Sequence, residues 1–416
     1  MKVVVLGGGI IGLSSAYYLK ESGHDVTLID KTDISSNCSY GNAGYVCPSH
    51  FIPLATPGIV TQGLKWMWNS RSPFYVQPRL NLSLIDWGLK FMKSATPEKV
   101  AEAAIPLRDV AILSKKHYEE WTRLPQFNFA YQQKGLLEIY QTDAGAAHAE
   151  HTVHRAHEIG LKDTELLSYD QLQALEPQTK INAKGAIHFN CDAHLYPNKL
   201  MEQMIAHLKQ VGVVFKTNEE VTGFENAAGK ITKVKTNKAV YDADSVVVAT
   251  GSWSRELAAK MEVKIPLVAG RGYSVTLEDS KYVINYPSVL IEGRAALTPM
   301  DGNKIRFGGT MEITSTNTAP KIERVEGLLA AVKRFYPEFD VPVPSIEKIW
   351  CGFRPCSADG LPYIGRTNRW KNVVIATGHS MLGLSLGAGT GKLVNELVNE
   401  EQLSMDLKPF DPNRFS

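Results

Sequence analysis

The strongest constraint on this chain lies in its first thirty residues. Val3-Val4-Val5-Leu6 is an uninterrupted apolar run, as expected of a strand buried on both faces. It leads directly into Gly7-Gly8-Gly9-Ile10-Ile11-Gly12, a G-x-G-x-x-G motif. Leu13, Ala16 and Leu19 then recur at helical spacing, and Gly23 is placed to stop the helix. Asp25-Val26-Thr27-Leu28-Ile29 reads as a second strand ending at Asp30. Strand, glycine turn, helix, strand and acid in this register define a nucleotide-binding βαβ unit. Gly7 permits the tight turn, Gly9 lets backbone amides approach a pyrophosphate, and Gly12 lets helix pack on strand. The helix start at Ile10 and Ile11 offers N–H groups to the phosphates, and Asp30 accepts hydrogen bonds from a ribose.

An acid at this place favours a ribose without a 2′-phosphate and leaves FAD and NAD both open. The rest of the chain chooses. Ser245-Val246-Val247-Val248-Ala249-Thr250-Gly251, followed by Trp253, is a second glycine-marked strand. Val373-Val374-Ile375-Ala376-Thr377-Gly378-His379 is a third, running on to Gly383 and an amphipathic stretch around Leu393–Leu397. Two strands ending Ala-Thr-Gly, far from the first motif, imply one extended ligand held by separated segments. FAD has that shape.

With these residues in place the chain resembles the D-amino-acid oxidase-like flavoproteins, a family that includes glycine oxidase, sarcosine oxidase and bacterial D-amino-acid dehydrogenases. The resemblance covers nearly the whole chain. It rests on the N-terminal fingerprint, Cys38-Ser39-Tyr40-Gly41-Asn42-Ala43-Gly44, Asp192-Ala193-His194-Leu195-Tyr196-Pro197, the Ala249-Thr250-Gly251 strand, and Trp350 to Gly365 with Thr377-Gly378-His379. The segment from Gly44 to about residue 130, with Trp66-Met67-Trp68, looks most like the dehydrogenase branch, including its hydroxyproline-degrading members. The resemblance implies that Lys31, Ser39, Asn42, Ala43, Gly44, Val221, Thr250, Gly251, Trp253 and Gly378 complete the FAD site.

It also implies the chemistry: hydride transfer from the carbon bearing an amino group to the flavin, giving an imino acid. That reaction needs a cation for the substrate carboxylate. Arg354, in Trp350-Cys351-Gly352-Phe353-Arg354-Pro355, fills this role as a clamp over the flavin, because a guanidinium meets a carboxylate as a bidentate fork. Tyr273 is either a second carboxylate partner or a core tyrosine. Gly383, Leu384 and Ser385 aim amides and a positive helix end at the reduced flavin. His379, just before them, reads as a backbone anchor more than an acid–base group. In the covalently flavinylated relatives the attaching cysteine would fall at Gly352, with Cys351 one place away, so the flavin is expected to be non-covalent.

Composition excludes other classes. With 45 basic and 43 acidic residues, a net charge of +2 and no block of like charge, nothing suits a nucleic-acid backbone. No apolar run reaches the ~18–20 residues that span a bilayer. There is no room for a signal peptide before the first strand, and the five cysteines form no C-x-x-C pair, which suits a reducing cytoplasm. His148, His151, His154 and His157 recur every third residue, but on a helix they rotate away from one another, so no metal site is expected. Residues 59–93 mix aromatics with Lys65, Arg71, Arg79, Lys90 and Lys93. They read either as a membrane or partner surface, peripheral on the inner face of the cell membrane, or as an insertion packed over the site.

The expected architecture is α/β. A Rossmann-like FAD domain with helices on both sheet faces comprises residues 1–55, 186–255 and 345–416. An α+β substrate domain with a mixed or antiparallel sheet comprises 56–185 and 256–344. The favoured activity is dehydrogenation of a small D-amino acid, such as D-proline or hydroxy-D-proline, with electrons passed to a quinone or carrier protein and not to NAD. The alternative is a glycine- or sarcosine-type oxidase using oxygen. A non-catalytic FAD sensor and an NAD-dependent dehydrogenase are the more distant rivals.

Overall fold

In the computed structural model, which describes residues 1–58, 72–77, 79 and 81–416, the apolar run at the N-terminus is the strand Lys2–Leu6, buried from Val3 onward. It lies inside a six-stranded sheet in the order Tyr363–Arg366, Val373–Thr377, Ser245–Val248, Lys2–Leu6, Asp25–Ile29, Val214–Lys216. All neighbours are parallel except Tyr363–Arg366, which runs antiparallel at the edge. Both faces are covered, and this explains why residues 3–6, 246–248 and 373–376 are apolar throughout instead of alternating. Gly12 is fixed by contact: a Cβ there would lie 1.8 Å from the Gly7 carbonyl oxygen. Helix Ile10–Glu21 thus rests directly on the turn that precedes it.

A second, mixed sheet stands over the C-terminal ends of the first. Its order is Trp350–Ser357, Leu267–Leu277, Ile305–Ile313, Ala295–Pro299, Ser288–Leu290, Leu136–Tyr140, Gly185–Phe189, Thr164–Ser168, with Phe74–Val76 added beside Ile305–Ile313. Most pairs are antiparallel; Ser288–Leu290 pairs in parallel with Leu136–Tyr140. Helix Ile322–Phe335 closes one face through Val325, Leu328 and Val332, which pack with Phe307 and Tyr273. A small meander, Val221–Ala227, Lys230–Thr236 and Val240–Asp242, adjoins the first sheet.

Three segments pack across the boundaries expected from sequence. Gly185–Phe189 and Trp350–Ser357 hydrogen-bond into the second sheet, although 186 and 345 were expected to open segments of the nucleotide domain. Helix Pro97–Thr122, expected in the substrate domain, packs on the nucleotide half; its Tyr118 hydroxyl donates to the Leu384 carbonyl at 2.6 Å. The physical reason is that strand pairing and helix docking are set by partners distant in sequence. The His148–His157 series lies on helix Asp143–Glu158, where His154 pairs with Glu158 and His157 meets the Thr164 carbonyl. Trp66, Met67, Trp68, Lys65 and Arg71 lie outside the described residues.

One buried cation joins the halves. Arg306, 5% exposed, extends from the second sheet and donates from Nη1 to the carbonyls of Tyr40 and Asn42, each at 2.7 Å. Its Nε and Nη2 meet Thr276 Oγ1 and Asn198 Oδ1. Replacing it with Met would leave those carbonyls without donors, at a cost of about 3 kcal/mol. Arg306→Met should therefore lower the urea midpoint by a corresponding amount and loosen flavin retention; an unchanged midpoint would remove Arg306 from this role.

Candidate active site

Between the two sheets lies a cavity of about 970 Å³, at the upper end of the ~300–1,000 Å³ typical of ligand sites. One end is built by the opening motif. Gly7, Gly9, Ile10, Ile11, Asp30 and Lys31 line it, joined by Val221, Thr250, Gly251 and Trp253. Asp30 Oδ2 accepts from the Gly8 N–H at 2.7 Å, while Oδ1 accepts from Thr32 N and Oγ1. The acid that faces the cavity is thereby braced by its own turn. Lys31 Nζ sits 4.1 Å from the Trp253 ring centroid, a cation–π contact that fixes both side chains. Ile10 differs from expectation, since its N–H donates to Ser39 Oγ at 3.0 Å and is already satisfied.

The middle of the cavity is walled by Asn42 and Ala43 on one side and Gly383, Leu384 and Ser385 on the other. Ser385 Oγ accepts from the Cys47 N–H at 2.8 Å, tying the two walls together. The N–H groups of Gly383 and Leu384 have no acceptor among the described residues. Donors so placed suit an anionic edge, and with the glycine turn at the other end they fit FAD. Gly12, Gly44 and Gly378 do not line the cavity; they support it from behind. A Cβ on Gly44 would meet the Leu195 carbonyl oxygen at 2.2 Å, and one on Gly378 would meet the Tyr363 ring at 2.8 Å.

At the far end stands Arg354. Its guanidinium donates from Nη1 to the Thr310 carbonyl and from Nη2 to the Gly309 carbonyl at 3.4 Å. It forms no ion pair among the described residues. Burial lowers its pKa from the usual 12.5, which leaves a charged group facing a cavity without a counter-ion. Gly272 makes the seat, because a Cβ there would lie 2.2 Å from Arg354 Nη2. That residue was visible in Gly270-Arg271-Gly272-Tyr273, but its purpose needs the neighbouring strand.

Tyr273 also borders the cavity, but its hydroxyl is engaged within the protein. Successive residues of a strand face opposite ways, so with Gly272 beneath Arg354, Tyr273 turns toward helix Ile322–Phe335. It is 1% exposed, its hydroxyl donates to Glu312 Oε2 at 2.7 Å, and it accepts from the Lys321 N–H. Its phenol is committed to the protein. Cys351 shares that face and packs with the same cluster. At Gly352 a Cβ would come within 2.2 Å of the Trp350 ring, which also leans on Gly41.

His379 lines the cavity, yet its Nε2 is engaged by Thr390 Oγ1 at 3.0 Å, and burial pushes its pKa down to about 3. It is a neutral ring held in place. Residues missed from sequence include His50, Cys47, Glu138 and Arg294, all on the cavity wall. The available signal was Glu138 itself, an acid on the cavity-facing side of the otherwise apolar strand Leu136–Tyr140. Cys47, His50 and Asp192 form the one cluster of three potential metal ligands among the described residues. Asp192 there accepts from both the N–H and the hydroxyl of Ser49.

A glycine-turn cradle, two unpaired backbone amides and an isolated guanidinium along one cavity define a flavin-dependent oxidoreductase. A family model described as FAD dependent oxidoreductase matches residues 2–397, and the chain belongs to that family. Similar relatives include the D-amino acid dehydrogenases of Helicobacter pylori, 31% identical over 96% of this chain and 95% of the relative, and of Neisseria meningitidis, 30% identical over 96% of each. Among solved structures, glycine oxidase from Geobacillus kaustophilus aligns with a TM-score of 0.76 at 21% identity, covering 100% of this chain and 98% of that one. L-proline dehydrogenase from P. horikoshii gives 0.75 at 21%, covering 100% and 97%. At such identities these structures speak for the fold, a mixed α/β flavoenzyme fold.

The neutral His379 has a consequence for stability. Unfolded, the ring takes a proton near pH 6.5; folded, it resists until about 3. The unfolded state therefore binds more protons across that window, and stability falls as pH drops through it. His379→Gln should flatten this acid loss between pH 6.5 and 4, measured from urea midpoints, whereas an unchanged slope would mean the ring charges in place.

Proposed function

We propose that this protein dehydrogenates a small D-amino acid, D-proline and hydroxy-D-proline included, to the corresponding imino acid. The observation that carries the reading is Arg354, a half-buried guanidinium without a carboxylate partner among the described residues, seated by Gly272 on the cavity wall. FAD supplies the hydride acceptor when bound. Arg354 receives the substrate carboxylate as a fork and so fixes which C–H bond faces the acceptor. Gly383 and Leu384 present amides to developing negative charge. His379 is neutral and bonded to Thr390, so it holds the wall in place and takes no proton. An amine that arrives unprotonated needs no base from the protein, and none is assigned.

The flavin in this reading is non-covalent. The Trp350 ring fills the space at Gly352, and Cys351, though it borders the cavity, packs against the cluster around Tyr273. Relatives of about 30% identity are named as dehydrogenases, which favours a quinone or carrier protein over oxygen as acceptor. Arg354→Ala should raise KM for the amino acid by two orders of magnitude or more with flavin still bound. Anaerobic bleaching of the flavin across D-, L- and N-methyl amino acids measures this, and wild-type-like bleaching by the variant would sink the assignment.

Helix Leu82–Ser94 supports a peripheral membrane site. Trp87 and Phe91 are buried and stacked at 4.8 Å, while Leu82, Ile85, Leu89 and Met92 form an outward stripe, 86%, 50%, 53% and 51% exposed. Lys90 and Lys93 accompany it. An exposed apolar stripe with flanking cations fits a lipid surface that carries the quinone. No helix among the described residues is long and apolar enough to cross a membrane. Changing Leu82, Ile85 and Leu89 to Ser should abolish co-sedimentation with anionic vesicles and leave amino-acid-driven flavin bleaching intact; retained co-sedimentation would refute the surface.

A further inference from the structure

The ceiling of the cavity is a single row across four neighbouring strands. Gly308, Ala296, Val289 and Glu138 are successive partners in the second sheet, so their side chains leave the same face. All four line the cavity. Arg354 stands at the Gly308 end, where its Nη2 reaches the Gly309 carbonyl. Three strand spacings separate that strand from Glu138, about 14 Å at ~4.8 Å each. A ligand whose carboxylate rests on Arg354 thus runs its side chain along glycine, alanine and valine toward a carboxyl group.

That carboxyl group is unusual in having no partner. Glu138 makes no side-chain hydrogen bond or ion pair among the described residues. Arg294 lines the same cavity and makes no salt bridge or hydrogen bond with it, although its positive charge partly offsets the rise in the Glu138 pKa. Asp192 is occupied by Ser49, and the Tyr45 hydroxyl donates to the Ser288 and Leu297 carbonyls. The Cys47 thiol and the His50 ring complete this end, and burial drives the first up and the second down to about 4, so both stay neutral near pH 7. Burial, with Asp192 nearby, raises Glu138 to about 7. A half-buried acid with no donor costs stability. The alternate residues of its strand, Leu136 and Tyr140, share its side of the sheet and pack in apolar clusters, so a leucine would serve packing better.

We infer that Glu138 determines substrate specificity by accepting a hydrogen bond from an N–H or O–H group at the far end of the substrate side chain. This rests on the amino-acid reading above and adds the side-chain class to it. The donor has two sources, a hydroxyl or a cationic nitrogen, and one ligand chemistry serves both. A site built to accept from a donor discriminates strongly against analogues lacking one.

The test is kcat/KM for pairs that differ by the distal donor: D-ornithine against D-norvaline, and 4-hydroxy-D-proline against D-proline. Wild type should favour the donor-bearing member of at least one pair by about tenfold or more. Glu138→Leu should bring that ratio close to one. Glu138→Gln separates the sources, because a neutral amide oxygen still accepts from a hydroxyl but gives up charge pairing with a cation. A preserved hydroxyproline ratio points to the former, and a lost ornithine ratio to the latter. A wild-type enzyme indifferent to the donor, or a Glu138→Leu ratio equal to wild type, overturns the inference while leaving the amino-acid reading standing. If no amino acid bleaches the wild-type flavin, the reading beneath it falls instead.

Discussion

The two halves of this protein are held in register by a guanidinium that has no carboxylate partner. Arg306 is buried, and burial pushes its pKa down to about 10, yet it remains a cation at neutral pH. It is accommodated because neutral oxygens surround it: the Tyr40 and Asn42 carbonyls, Thr276 Oγ1 and Asn198 Oδ1. Those carbonyls belong to the loop that follows the nucleotide cradle, and Arg306 itself belongs to the ceiling. Gly41, between the two anchored residues, touches Trp350 of the strand that carries Arg354. One buried charge therefore helps to fix the distance between cradle and clamp, the dimension that cofactor and substrate must fill together. A near-neutral chain of net charge +2 is compatible with this, since recognition depends on a few placed charges and not on a charged surface.

The cavity is polarised along its length. Its middle is neutral: His379 is uncharged and hydrogen-bonded, and the amides of Gly383 and Leu384 point at where charge will form. Charged groups stand at the ends, Asp30 and Lys31 by the cradle, Arg354 over Gly309, and Glu138 beyond Val289. His379, kept neutral by burial, does not compete with a carboxylate ligand for Arg354.

How legible this was depends on how far apart the cooperating residues lie. Most of the cradle was legible because strand, turn and helix are contiguous, and Gly12 meets Gly7 five residues away, whereas the Ile10 N–H proved to be taken by Ser39. Arg354 stood out as a single arginine in a recognisable stretch, and it borders the cavity. Tyr273 stayed open between two readings because its facing depends on the alternation of a strand whose register is set by Trp350–Ser357, some eighty residues on. Glu138 was passed over for the converse reason: an acid in an apolar strand becomes a site only when Val289, Ala296 and Gly308 are laid beside it. Helix Pro97–Thr122 carries no local mark of the half it would join.

The sequence by itself determined the βαβ unit and the dinucleotide cofactor, and it singled out the arginine proposed as carboxylate clamp, because each follows from short-range sterics or from the chemistry of one side chain. Tertiary structure alone decided which face each strand residue presents, which segments cross between the halves, and where the cavity ends. Those outcomes follow from pairing between strands far apart in the chain, and a shift of one residue in such a pairing exchanges wall for core.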